Sequence, residues 1–138
     1  MFKCSAASFC KTAGDSILYH RVLGKKENAN SAIMILHGLF GSTTNWGSVA
    51  GSLTKELYDQ VILVDLRNHG KSFHHPDFSI PTMADDIEAL TTHLDVPSDF
   101  TLMGHSLGGK VSMDFALRGK MADSSKLIVV DMAPIHYE

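Results

Sequence analysis

Residues 100–112 read FTLMGHSLGGKVS, and this stretch decides the fold of the chain. It opens with a largely apolar run typical of a buried strand and ends in a segment with helical spacing. Between them lies GHSLG, a G-x-S-x-G sequence in the strand–turn–helix context that a nucleophile elbow requires. We therefore expect Ser106 to adopt strained backbone geometry with its hydroxyl above the sheet. Gly104 and Gly108 are expected because a Cβ there would collide with the neighbouring strand and helix.

The same residues allow a second interpretation. Residues 104–110 also spell G-x-x-x-x-G-K, the phosphate-binding loop of P-loop NTPases, and the apolar run 127–130 ends in Asp131, as a magnesium-binding strand would. However, Val111 stands where that loop needs a Ser or Thr hydroxyl for the metal. Ser112 comes one residue late and would face elsewhere on the helix. The elbow interpretation has no such defect, so the NTPase remains a remote alternative.

Composition limits the other function classes. The chain has 138 residues, which suits one domain, and its net charge of −3 argues against a nucleic-acid surface. No apolar stretch reaches the length of a membrane span. Cys4 and Cys10 are expected to be reduced thiols, which suggests an intracellular setting. The doublet His74-His75 has no partner at ligand spacing, so we expect no metal site and no cofactor.

Strands and helices alternate along the sequence. A strand predicted at 17–23 is followed by four apolar runs typical of buried strands: 32–36, 61–64, 100–103 and 127–130. The first helix is expected to be capped by Asn45 and to bury one face: Trp46, Val49, Leu53 and Leu57. The second is expected to begin at Pro81, with its acidic residues in water: Asp85 and Asp86 in the first turn, and Glu88. This alternation predicts an α/β fold, a mostly parallel sheet with helices on both faces.

Polar loops follow the carboxyl ends of the strands, the edge at which open α/β sheets bind ligands. The Gly-punctuated loop at 37–42 suits an oxyanion hole because it leaves backbone N–H groups free. His37 itself is expected to make structural hydrogen bonds. The polar residues of the next loop are expected to tie loops together: Arg67, Asn68 and His69. Residues 1–16 have a weak transit-peptide composition, although a frayed terminus or an edge strand would look similar.

Four stretches together resemble the α/β-hydrolases: HGLFGS at 37–42, DLRNHGKS at 65–72, GHSLGGK at 104–110 and VDMAP at 130–134. More narrowly, they resemble the esterase branch that contains the abhydrolase-domain-11 proteins and the bacterial YbfF esterases. The resemblance covers residues 17–138 and implies the α/β-hydrolase sheet order 1-2-4-3-5-6-7-8. It also implies a partial domain, the N-terminal half, since these hydrolases continue through a cap and two more strands.

The resemblance implies a role for each matching residue. The nucleophile corresponds to Ser106, and the triad acid to Asp131, unless a later strand carries it. The oxyanion N–H groups correspond to Leu39 and Leu107, with Phe40 beside the first. The implied activity is that of a carboxylesterase-like hydrolase acting on ester bonds (class EC 3.1.1), through an acyl-enzyme and with a small acyl ester or thioester as substrate. The implied location is mitochondrial, with a cytoplasmic one as the alternative.

The triad order places the base after the acid, where only His136 stands, too close to Asp131 to serve. His105 is expected to point away from the Ser106 hydroxyl. We therefore expect at most weak activity from these 138 residues, and a catalytically silent homologue that binds a partner is the second hypothesis. The run 127–130 would then form an open apolar edge, which favours self-association or pairing with a C-terminal half.

Overall fold

A five-stranded sheet forms the centre of the part of the chain that the structure, a computed structural model, describes: residues 17–25 and 28–133. Its strands are β1 (His20–Gly24), β2 (Ala32–Leu36), β3 (Gln60–Val64), β4 (Thr101–His105) and β5 (Lys126–Val130). They lie in the order β1-β3-β2-β4-β5. β1 is antiparallel to β3, and every other neighbouring pair is parallel. This order matches strands 2-4-3-5-6 of the order implied by the resemblance, and the predicted fold class is confirmed. The candidate transit segment and His136 lie outside the described residues.

Three α-helices cover the two faces of the sheet: α1 (Gly47–Glu56), α2 (Ile80–His93) and α3 (Leu107–Leu117). Alternate residues of one strand point to opposite faces, and this divides the core. From β2, Met34 and Leu36 pack into the larger core cluster with residues of α2 and α3. Ile33 and Ile35 pack on the other face with Ala50 of α1. The central strands are therefore apolar throughout because both of their faces are covered.

The first helical segment differs from its prediction. A 3-10 helix at Thr43–Trp46 precedes α1, and Ser42 caps it in a capping box with Asn45 as the third residue. Asn45 is therefore not the cap. Val49 is 41% exposed and Leu57 69% exposed, so neither belongs to the buried face that we expected. A 3-10 helix turns through a larger angle per residue than an α-helix. A single α-helical period across 45–57 therefore assigns some residues to the wrong face.

The second helix also begins differently. Ser79 caps α2 and accepts a hydrogen bond from the Thr82 N–H, so the helix begins at Ile80, one residue earlier than predicted. No acidic residue lies in its first turn. The prediction that Asp86 faces water is wrong, because only 3% of this residue is exposed. Its partner, described below, comes from a distant loop.

The last described strand is the most exposed. β5 pairs with β4 and ends the described sheet. Leu127 and Ile128 are 39% and 40% exposed, so in the described part of the chain this strand is the open apolar edge that the sequence predicts rather than a strand buried on both faces. None of the described helices combines the length and the apolar character needed to cross a bilayer.

Candidate active site

The turn between β4 and α3 has the strained geometry that the sequence predicts. Ser106 has φ +49° and ψ −113°, a region that non-glycine residues rarely occupy. The Ser106 N–H donates to the Val130 carbonyl at 3.0 Å, which ties the turn to the end of β5. The chain passes from strand to helix at this one residue, since β4 ends at His105 and α3 begins at Leu107. A sharp turn of this kind lifts its central side chain above the edge of the sheet.

Close packing of backbone explains the two glycines of the turn. A Cβ at Gly108 would lie 2.6 Å from the His37 carbonyl oxygen and 2.7 Å from that of Leu36. A Cβ at Gly104 would overlap the Gly108 carbonyl and the Ser112 hydroxyl. The steric reason predicted for these glycines therefore holds in the structure. Without both glycines, α3 could not approach β2 and β4 this closely.

Two backbone segments near Ser106 could supply oxyanion N–H groups. Leu107 is the first residue of α3, where an N–H has no intrahelical acceptor. The N–H groups on either side of it are engaged, since Gly108 donates to the His37 carbonyl at 3.2 Å and Ser106 to Val130. The second segment is the loop after β2, where a Cβ on Gly38 would lie 3.2 Å from the Ser106 Cβ.

The residues that follow Gly38 are unusually exposed. Leu39 is 51% exposed, and Phe40 is 91% exposed with φ +60°. The left-handed conformation is unfavourable for an aromatic residue. Phe40 belongs to a tight turn that the Gly41 N–H closes by donating to the Gly38 carbonyl at 2.9 Å. The turn thus holds the Gly38–Leu39 peptide beside the elbow.

His37 has the structural role that the sequence predicts. It is buried, its Nδ1 lies 2.7 Å from the Gly38 carbonyl oxygen, and its Nε2 accepts the Leu66 N–H at 3.0 Å. Burial lowers the pKa of this imidazole, and the hydrogen bond to Gly38 only partly opposes the shift. His37 therefore joins the loop after β2 to the loop after β3 as a neutral ring.

The loop after β3 is held by a buried ion pair that sequence reasoning missed. The Arg67 guanidinium donates to both carboxylate oxygens of Asp86, at 2.6 and 2.7 Å, and to the Asp77 carbonyl at 2.9 Å. Burial raises the pKa of Asp86, and Arg67 opposes that shift. In the same loop, Asn68 exchanges two hydrogen bonds with the His75 backbone. The predicted hydrogen-bonding role holds for Arg67 and Asn68, although their partners lie in the same loop and in α2 rather than in other loops. The His69 ring also bonds within this loop, with its Nδ1 2.9 Å from the Arg67 carbonyl oxygen. The signal for Asp86 was its position three residues after Met83 and one before Ile87, on the buried face of α2.

The structure brings the predicted acid, Asp131, close to a histidine. Asp131 follows β5 with φ +53° and an 86% exposed side chain, and its Oδ2 lies 3.9 Å from His105 Nε2. Within residues 17–25 and 28–133, no side chain hydrogen-bonds the Ser106 Oγ. A complete triad is therefore not assembled from the described residues.

A cavity of about 350 Å³ lies beside the elbow. Its wall combines the loop after β2 with the start of the first helical segment: His37, Gly38, Leu39, Phe40, Gly41, Asn45, Trp46, Val49 and His105. The rings of Trp46 and His105 meet edge to face, with centroids 6.2 Å apart. The wall is mostly apolar, with a few polar groups, which suits a small acyl or alkyl group.

The geometry disfavours the alternative phosphate loop. Gly109 and Lys110 already lie within α3 rather than in an open loop that could wrap a phosphate. The buried Ser112 hydroxyl donates to the Gly108 carbonyl at 2.8 Å, inside the same helix. Among the described residues, no group of His, Cys, Asp and Glu could hold a metal ion.

Known proteins resemble this chain in both sequence and fold. The family model of the alpha/beta hydrolase fold matches residues 31–131. The mouse (Mus musculus) protein named sn-1-specific diacylglycerol lipase ABHD11 is 44% identical over 105 residues, covering 75% of this chain and 33% of its own length. Esterase YbfF of Escherichia coli is 40% identical over 116 residues, covering 82% of this chain and 43% of its own.

A solved structure, that of a marine microorganism esterase, superposes with a TM-score of 0.79 at 38% identity, covering 90% of this chain and 45% of that one. The chain thus spans a third to a little under half of the length of these relatives. The chain belongs to the α/β-hydrolase family, among relatives that include ABHD11 and YbfF.

Proposed function

We propose that this chain carries the nucleophile half of a serine hydrolase that cleaves small acyl esters or thioesters. The main observation behind the proposal is the position of Ser106. Its backbone is strained between β4 and α3, and it lies beside the Gly38–Leu39 peptide. The names of the relatives, a diacylglycerol lipase and an esterase, support an ester substrate.

In the proposed mechanism, the Ser106 hydroxyl oxygen attacks the acyl carbonyl carbon while a histidine removes its proton. The N–H groups of Leu39 and Leu107, with Phe40 beside them, stabilise the oxyanion that forms. Collapse of the tetrahedral intermediate breaks the ester bond, and the imidazolium returns the proton to the leaving alcohol or thiol. Water then attacks the acyl-enzyme in the same way and releases the acid.

The general base of this mechanism is proposed to be a histidine outside the described residues, with Asp131 as the acid that orients it. His105 is adjacent to Ser106 in the chain, its Nε2 lies 3.9 Å from the Asp131 Oδ2, and it makes no hydrogen bond to the Ser106 Oγ within the described part of the chain. The triad's imidazole must contact both the nucleophile and the acid. Asp131 is exposed and follows β5 directly, so it is open to such a partner.

A fluorophosphonate probe tests the proposal, since it labels a serine only when the hydroxyl is activated. In a form of the protein that supplies the proposed histidine base, we expect Ser106→Ala to abolish labelling and ester hydrolysis, whereas Ser48→Ala, at an exposed position on α1, leaves both unchanged. Triad mutants lose several orders of magnitude in rate, so the outcome is clear-cut. Labelling that persists in folded Ser106→Ala would contradict the assignment.

A catalytically silent homologue that acts by binding a partner is the second candidate. Two observations favour it: no described side chain hydrogen-bonds the Ser106 Oγ, and β5 presents exposed apolar residues at the end of the described sheet. In that case the folded chain would bind a partner strand and would resist the probe at any concentration. The same labelling experiment therefore separates the two candidates.

For location, we propose a mitochondrial protein, with a cytoplasmic one as the alternative. Lys3 and Lys11, with no acid before Asp15, support an address carried by residues 1–16. A fluorescent fusion to the chain should reach mitochondria, and the same fusion without residues 2–16 should not. Identical distributions of the two fusions would contradict this address.

A further inference from the structure

The hydrogen bonds of His37 fix which of its nitrogens carries the proton. Its Nδ1 lies 2.7 Å from the Gly38 carbonyl oxygen, an atom that only accepts. Its Nε2 lies 3.0 Å from the Leu66 backbone nitrogen, whose N–H only donates. Both contacts are satisfied only when Nδ1 carries the hydrogen and Nε2 carries the lone pair. The ring is 1% exposed, so water cannot substitute for either partner.

This tautomer determines how the next peptide is oriented. The Gly38 carbonyl accepts two hydrogen bonds, from the His37 Nδ1–H and from the Gly41 N–H at 2.9 Å. The described peptide bonds are all trans, and in a trans peptide the carbonyl and the next N–H point in opposite directions. The Leu39 N–H therefore points away from His37 and Gly41. Gly38 packs against the Cβ of Ser106, which places this peptide at the elbow.

We propose that His37 is a positioning residue for the oxyanion hole: its neutral, Nδ1-protonated ring holds the Leu39 N–H toward the carbonyl that Ser106 attacks. The inference rests on the proposed function and identifies what orients one of its two donors. A proton on Nε2 would remove the acceptor for the Leu66 N–H and force the ring away from that loop. The peptide would then lose its fixed orientation, although Ser106 itself would be unchanged.

The groups that act on this ring agree with a neutral state. Burial lowers the pKa of His37, and the neighbouring His69 ring, with centroids 5.0 Å apart, lowers it further. Asp65 is the described acidic group that raises it. The Asp65 carboxylate is itself engaged, since it accepts the N–H groups of Thr43 and Lys71. The ring therefore stays neutral near pH 7 and gains a proton only in acid.

Two near-isosteric variants separate the two hydrogen bonds. In His37→Asn the side-chain amide can donate from the place of Nδ1 but offers no acceptor to Leu66. In His37→Gln the amide oxygen can accept from Leu66 at the place of Nε2 but no donor reaches Gly38. If His37 has only a structural role, both variants should lose stability, but the reactivity of Ser106 per folded molecule should be the same in the two.

The experiment measures fluorophosphonate labelling of Ser106 in the full chain, normalised to the folded fraction, together with imidazole and amide NMR. We expect a wild-type Nδ1–H tautomer, a labelling rate for His37→Asn within about threefold of wild type, and a loss of roughly tenfold or more for His37→Gln, since one oxyanion donor is worth about 10²–10³ in rate. Equal rates for the two variants, or an Nε2–H tautomer in the wild type, would overturn the proposal.

The NMR measurement keeps this inference separate from the proposed function. If the wild-type chain is not labelled, Ser106 is not activated in this chain, and the Leu39 amide signal alone decides the role of His37. We expect that signal to shift in His37→Gln and to remain in His37→Asn. If His37→Gln does not fold, acid titration of the wild type replaces it, and the Leu39 and Leu66 amides should follow the His37 ring. If the Leu39 amide signal shifts neither in His37→Gln nor on acid titration of the wild type, the inference is wrong.

Discussion

Arg67 and Asp86, nineteen positions apart in the chain, form a bidentate ion pair whose side chains are 0% and 1% exposed. The pair joins the loop after β3 to the middle of α2. The guanidinium also contacts the Asp77 carbonyl and the face of Phe73, with 5.5 Å to the ring centroid. Its donors and the carboxylate oxygens are thus largely satisfied without water.

Removing one partner of this pair leaves the other buried and unpaired. We expect Asp86→Ala to lower the free energy of unfolding by about 3–5 kcal/mol. The matched control is the neighbouring Asp85→Ala, whose exposed pair with Arg118 should contribute less than about 1 kcal/mol. Urea denaturation followed by circular dichroism gives both values. If the two variants lose similar free energies of unfolding, the buried Arg67–Asp86 pair contributes no more to stability than the exposed Asp85–Arg118 pair.

The elbow glycines yield a second comparison. We expect Gly108→Ala to destabilise the fold by about 1–3 kcal/mol or more, because the new Cβ would press on the Leu36 and His37 carbonyls. Gly51→Ala, in α1, meets nothing within 4 Å and should stabilise by up to about 1 kcal/mol through helix propensity. Thermal unfolding should show a lower melting temperature for Gly108→Ala and a higher one for Gly51→Ala. A neutral Gly108→Ala would show that α3 can move away from β2.

Acid should weaken the fold through His37. Its pKa in the folded state lies below the ordinary value of 6.5, so the unfolded chain binds more protons in the interval between the two values. The contribution of this residue to stability is complete above about pH 6.5 and is lost as the pH falls toward the lower, folded-state value.

Chemical denaturation of wild type and of His37→Asn over this interval measures the effect. The difference in unfolding free energy between the two should narrow as the pH falls, since the variant has no proton to gain at this position. A difference that stays constant with pH would mean that His37 has the same pKa in the folded and unfolded states.

The edge of the sheet leads to a prediction about association. β5 presents Leu127 and Ile128, each about two-fifths exposed, at the end of the described sheet. Short apolar edge strands tend to pair with other chains, and a charge on the strand opposes such pairing. We expect Ile128→Lys to reduce concentration-dependent association in analytical ultracentrifugation.

Leu57→Lys is the control for that experiment. Leu57 is more exposed than Ile128, at 69%, but follows a helix rather than lying on a strand. If general surface hydrophobicity drives association, both variants should reduce it. If strand pairing drives association, only Ile128→Lys should reduce it. A wild-type chain that stays monomeric at every concentration would refute the prediction.

The elbow and the alternation of strands and helices could be predicted from sequence because both are local. Gly104 and Gly108 lie two residues on either side of Ser106, so the steric demand of the turn is met within five consecutive positions. Apolar runs such as 61–64 need burial on both faces whatever their neighbours are, which predicts the class of the sheet.

Other features depended on contacts between distant residues. Asp86 has the same charge as Asp85, and only the loop carrying Arg67 makes one of them buried and the other exposed. The start of the first helical segment was mispredicted because Ser42 and Asn45 cap each other, a reciprocal geometry that a single cap at Asn45 does not describe.

By itself, then, the sequence determined the strand–turn–helix at Ser106, because the constraint is steric and acts over a few bonds. The tertiary structure alone decided the proton position on His37, since it takes Leu66, 29 residues away, to occupy Nε2. It also decided that Asp131 faces His105 and that Ile128 is exposed. Hydrogen bonds and burial join residues that are near in space, and their strength depends on which groups the fold places within about 3 Å and shields from water.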